Sequence, residues 1–74
     1  MISVVKARLV STTNERVQKY IGEAFHCKMH NKNQFLMDNG QSYILTSVVK
    51  EYEQKDKKII IKTLNSVYEL EIIA

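Results

Sequence analysis

The chain of 74 residues contains no proline, two glycines and one cysteine. With proline absent and glycine confined to Gly22 and Gly40, no linker, repeat or low-complexity tract divides it. Residues 1–74 therefore read as a single domain. The lone Cys27 excludes an internal disulfide framework and favours a reducing cytosol or an intermolecular role. The opening segment, MISVVKARLVSTT, lacks a long apolar run and carries Lys6 and Arg8 inside its apolar part. It reads as neither a signal peptide nor a membrane span, so a cytoplasmic protein without a membrane partner is expected.

Enzyme signatures are missing as well. The chain has no Gly-rich phosphate loop, no Gly-x-Ser-x-Gly elbow and no two-histidine zinc motif with a glutamate base. Folding a chain this short removes only roughly 60% of its unfolded surface, which leaves little apolar area to enclose an active-site cavity. The expectation is a non-catalytic protein without a cofactor.

What is present is alternation. The segment Lys58 to Ile73, KIIIKTLNSVYELEII, contains two runs of alternating apolar and polar residues around Asn65-Ser66, the pattern of a β-hairpin. With Asn65 and Ser66 as the loop, Lys62 falls opposite Glu69 on one face. On the other, Thr63 meets Tyr68, Ile61 meets Leu70 and Ile59 meets Ile72. Such pairs stabilise a hairpin, and a slip of one residue would turn Glu69 and Glu71 into the core.

The rest of the chain reads mostly as strands. Ile2 to Val10 alternates, with Val5, Ala7 and Leu9 inward and Lys6 and Arg8 outward. Thr12-x-x-Glu15 has capping-box spacing and precedes Val17, Tyr20 and Ile21, so a short helix is expected from about Thr13 to Tyr20, closed by Gly22 at C′. Glu23 to His30 reads as a strand with Phe25, Cys27 and Met29 inward, although the same residues also fit a helical stripe. Turns follow at Asn31-Lys32-Asn33 and at Asp38-Asn39-Gly40, the second a tight hairpin signal, with Gln34 to Met37 as a strand between them. Gln41 to Glu53 reads as one long strand bent near Ser47, and Gln54-Lys55-Asp56-Lys57 as a solvated hairpin tip.

Five to six short strands and one short helix predict a mainly β fold, a small SH3-like or OB-like barrel with Ile2 to Val10 near the C-terminal strand. The alternative is an α+β open sheet with one helix. Thr46, Ser47, Val49, Thr63, Asn65, Ser66 and Tyr68 form a Thr-Ser before an apolar strand, a charged turn, then Thr-x-Asn-Ser-x-Tyr. In this the C-terminal half resembles small uncharacterised phage and prophage proteins of low-GC Gram-positive bacteria. The resemblance implies an accessory protein that binds a host or phage macromolecule and alters it.

The basic excess lies in residues 1–34, with six basic residues against two acids, whereas residues 35–74 carry five lysines against six acids. His26, Cys27 and His30 include a Cys-x-x-His spacing of zinc-ligand types. On a strand, however, the histidines stand about 13 Å apart and Cys27 points to the other side. No second cluster completes a ligand set, so no metal is expected. Binding remains. The first reading is a module that docks on a host or phage protein, with Tyr20, Tyr43 and Tyr52 as candidate aromatic anchors. The Gln41 to Glu53 strand could add a partner's strand or pair with itself in a homodimer. The second reading is nucleic-acid binding through a patch of Arg8, Arg16, Lys19, Tyr20, His26 and Lys28. The third is a homo-oligomeric virion or assembly component.

Overall fold

The computed structural model describes residues 4–31 and 33–73. Ile2 and Ser3 at the start of the expected first strand, and Lys32 in the expected turn, lie outside that range. The fold is mainly β. Seven strands, β1 (Val5–Thr12), β2 (Ala24–His30), β3 (Gln34–Asp38), β4 (Tyr43–Leu45), β5 (Val49–Lys55), β6 (Lys58–Thr63) and β7 (Val67–Ile72), form one sheet. Their order is β4-β3-β2-β1-β7-β6-β5, with every neighbouring pair antiparallel. As expected, the first strand lies beside the last.

The connection between β4 and β5 dictates the shape. These strands occupy opposite ends of the sheet, yet only Thr46, Ser47 and Val48 separate them. Six interstrand spacings in a flat sheet amount to about 29 Å, whereas four Cα steps reach about 14 Å. The sheet must therefore curl enough to bring the end of β4 within about 14 Å of the start of β5. At the corner Thr46 N–H donates to the Phe35 carbonyl (2.9 Å), Val49 N–H to Asn33 (2.7 Å) and Leu64 N–H to Val48 (3.1 Å). No ladder joins β4 to β5, so the sheet stays open. The bend expected near Ser47 is real, and it splits the expected long strand in two; seven strands thus replace five or six.

Inside the curl lie Ala7, Leu9, Phe25, Cys27, Phe35, Met37, Ile59, Ile61 and Leu70, all fully buried, with Val17 and Tyr68 nearly so. The fully buried residues occupy alternate positions of β1, β2, β3, β6 and β7, with half-buried Ile44 of β4 and Val49 of β5 packed against them. The inward and outward faces read from the sequence thus hold for β1, β2, β6 and β7. Residues 24–30 are a strand and not a helix.

Local hydrogen bonding corrects three expectations. Thr12 belongs to β1, and its hydroxyl accepts from Asn14 N–H (3.1 Å), while Asn14 Oδ1 accepts from Arg16 N–H (3.0 Å). These short-range bonds take up the donors a helix start would offer. Only a turn and a single 3-10 turn, Gln18–Tyr20, form in place of the expected helix. Gly22 does take a positive φ of 96°, but it leads into β2, its N–H donating to Leu9 (2.8 Å).

In the C-terminal hairpin Thr63, the last residue of β6, opens the turn. Its N–H donates to the Ser66 carbonyl (2.8 Å), and its hydroxyl accepts from Ser66 N–H (3.1 Å). The pairs are consequently Ile61–Tyr68, Ile59–Leu70 and Lys62–Val67, a two-residue displacement that preserves both faces. Lys62 meets Glu51 and Glu69 meets Lys58, each at 3.5 Å. At Asp38-Asn39-Gly40 the loop runs to Ser42, because Asn39 Oδ1 accepts from Gln41 (3.0 Å) and Ser42 (2.7 Å) N–H.

Thr46 is the buried polar residue at the corner. Its hydroxyl accepts from Phe35 N–H (3.0 Å) and donates to the Ser47 carbonyl (2.9 Å). Thr46→Val keeps the shape but orphans a buried N–H, which costs about 1–3 kcal/mol. We expect chemical denaturation to show that loss for Thr46→Val and a much smaller one for Thr46→Ser.

Candidate functional site

The outward side chains of β1–β4 form cross-strand rows. In one row Lys6 stands beside His26, His26 beside Asp38 and Asp38 beside Tyr43; in the next, Lys28 stands beside Leu36 and Leu36 beside Leu45. Strict alternation produces this arrangement: Phe25, Cys27, Phe35 and Met37 point into the core, so their neighbours point out. Two open grooves mark the face. One, of about 210 Å³, is lined by Val4, His26, Lys28, Leu36 and Asp38. The other, of about 360 Å³, is lined by His30, Leu36, Asp38, Tyr43 and Leu45. They share Leu36 and Asp38 and so form one continuous surface.

Three large apolar side chains of this face are exposed. Tyr43 is 71% exposed, Val4 61% and Leu45 40%. Large apolar groups left in water side by side, with basic residues at their margin, are characteristic of a binding surface. A roomier groove of about 580 Å³ lies over Val10 and Ile60 on the outer side of β5–β7. Glu53, Glu69, Glu71, Lys55 and Lys58 crowd it, and Lys58 is already paired with Glu69. It is a solvated surface of both signs.

The six residues expected to form a basic patch divide into two groups. Arg8, His26 and Lys28 share the outer face, with Arg8 beside Ala24 of β2 and Glu71 of β7. Arg16, Lys19 and Tyr20 sit in the loop between β1 and β2. There Tyr20 packs edge-on against the buried Phe25 ring, with centroids 6.1 Å apart, and the Lys19 ammonium lies 5.3 Å over the Tyr20 ring. This loop closes one end of the core. Val17 is buried in it, and Val67 N–H and the Tyr68 hydroxyl bond it to β7. Tyr20 serves packing, so it does not join the face. Sequence reasoning did not assign Lys6, Leu36 and Leu45 to a site, although their outward alternation was the available signal.

Of the candidate anchors Tyr43 is the most exposed, ahead of Tyr52 at 37%, while Tyr20 is half-buried. Tyr52 lies at the inward side of the β5 edge, its hydroxyl donating to Gln54 Oε1 (2.8 Å). Desolvation, and then the nearby Cys27, raise its pKa. Cys27 is fully buried on the face opposite His26 and Lys28. Among the described residues, no three histidine, cysteine, aspartate or glutamate side chains converge in a way that could hold a metal ion. Likewise, none of the described helical segments is long and apolar enough to cross a membrane.

Burial pushes the Cys27 thiol from 9.0 up to about 12. The unfolded chain releases this proton near pH 9 while the folded chain retains it, so stability falls as pH rises from 9 toward 12. Urea titrations at pH 8, 9 and 10 should show that decline beginning in the natural chain and flattened in Cys27→Ala. Thiol reagents should label Cys27 only at the rate of unfolding.

No family model, curated protein or solved structure matches this chain.

Proposed function

We propose that this protein is a non-catalytic binding module, an accessory protein of the phage or prophage type. It docks on a host or phage protein in the cytoplasm and modulates it, through the outer face of β1–β4. The observation that carries this reading is the apolar strip of exposed Tyr43 and Leu45, half-buried Leu36 and exposed Val4, the last just before β1, along strands packed on a core. A tyrosine presented on a fixed backbone loses little entropy on binding and often anchors a protein interface. Lys6, His26 and Lys28 border the strip and favour a partner whose rim is acidic. The curl of the sheet and its bent β4–β5 segment support regarding the fold as an open relative of the small SH3-like or OB-like barrels.

A second reading rests on a separate observation: Lys6, Arg8, His26 and Lys28 occupy adjacent strands of one face, as a surface for single-stranded nucleic acid requires. It ranks below the first because Asp38 lies in the Lys6–His26 row and Glu71 stands beside Arg8, which dilutes the positive field.

Affinity capture from a low-GC Gram-positive lysate, with and without nuclease, separates the readings. The proposal predicts one protein retained in both halves, and its affinity falling about tenfold or more in Tyr43→Ser and in Leu45→Ser. A partner whose binding is unchanged in both variants contradicts the docking face. Retention that disappears with nuclease, and with Lys28→Glu, moves the assignment to nucleic acid.

A further inference from the structure

The two edges of the sheet differ in chemistry. Along β5 the exposed Lys50, Glu51, Glu53 and Lys55 surround Tyr52 and Gln54, and such charges guard an edge against pairing. β4 exposes Tyr43 and Leu45 and carries no charge at all.

The backbone of β4 has a definite polarity. Asn39 N–H donates to the Ser42 carbonyl (3.1 Å) and Thr46 N–H to Phe35 (2.9 Å), so the even-numbered residues 42, 44 and 46 face β3. Antiparallel ladders alternate, and Tyr43 and Leu45 therefore turn their N–H and C=O groups to the free edge. Those groups are arranged symmetrically about Ile44.

We propose that this edge is where two copies of the chain meet, β4 pairing antiparallel with β4 of the second copy about a two-fold axis at Ile44. Tyr43 then stands opposite Leu45 of the second copy in both directions. Each such pair exchanges two N–H···O=C bonds, giving four across the junction. On the outer face, Tyr43 packs beside Leu45 and Leu36 of the second copy, joining the two apolar strips; on the inner face, the half-buried Ile44 side chains meet. No like charges are opposed. Pairing β5 with itself about its middle, at Tyr52 or Glu53, would instead set Glu51 against Glu53, or Glu53 against Glu53.

A junction of three residues per copy is smaller than a standard stable interface, so the dimer is weak and concentration-dependent. This inference goes beyond docking of a partner, and its test needs none.

Sedimentation equilibrium from about 10 μM to about 1 mM should show the mass rising from 8.6 kDa toward twice that value. Amide exchange at Tyr43 and Leu45 should slow over the same range. Tyr43→Lys should remain monomeric throughout with unchanged strand content, and Glu53→Lys should dimerise as the natural chain does. Leu45→Pro removes one edge donor while leaving the bonds of Ile44 to β3, and should weaken the dimer at least tenfold. A strict monomer at about 1 mM overturns the inference. So does a dimer that survives Tyr43→Lys but is lost in Glu53→Lys.

Discussion

The hydroxyl of Thr46 holds the place where a short chain turns from one end of its sheet to the other. It accepts from the buried Phe35 N–H and donates to the Ser47 carbonyl, while Gln34 Nε2 donates to the Thr46 carbonyl (3.0 Å). Three residues bridging opposite ends force the sheet to curl, and the curl is what encloses a core in a chain this small. A second seam completes the arrangement: β1 pairs with β7, joining the N-terminal four strands to the C-terminal three. Corner and seam lie on opposite sides of the core, so each half of the sheet is anchored at both ends of its strand order.

The outward face follows from the same constraint. Because the inward positions are filled by aromatic, aliphatic and thiol side chains, the alternate positions of β2, β3 and β4 are fixed in space by core packing. Tyr43 and Leu45 project from a strand whose next residue is Thr46 itself. The corner that shapes the fold thus also positions the apolar strip and leaves the β4 backbone with a free side. Charge is distributed in keeping with this. The outer surface of β5–β7 mixes lysines and glutamates that pair across strands, whereas that of β1–β4 combines exposed apolar groups with a basic margin.

Much of this was legible in the residues because alternation with period two is a strong signal. Ala7 and Leu9, Phe25 and Cys27, and Ile59 and Ile61 declared their side of the sheet directly. What alternation does not determine is register, which depends on turn chemistry. Thr63 and Asn39 look like ordinary strand and turn residues, yet their side chains capture nearby N–H groups and leave four residues beyond the last cross-strand pairs, Lys62–Val67 and Asp38–Tyr43. Thr12 and Asn14 did the same at the expected helix start. The site was half legible: Arg8, His26, Lys28 and Tyr43 were singled out. Their separation from Arg16, Lys19 and Tyr20 depends on a loop folding over the core, which is a tertiary event with no local signature.

The most direct test of the account is native-state exchange of the Phe35 amide, whose proton is held by a side-chain hydroxyl and not by a strand ladder. If the Thr46 corner holds the curl, this proton exchanges only through global unfolding, with the same opening free energy as the central strand amides. Exchange at the rate of an exposed loop would mean that the corner opens on its own, and the curled sheet would then need another cause.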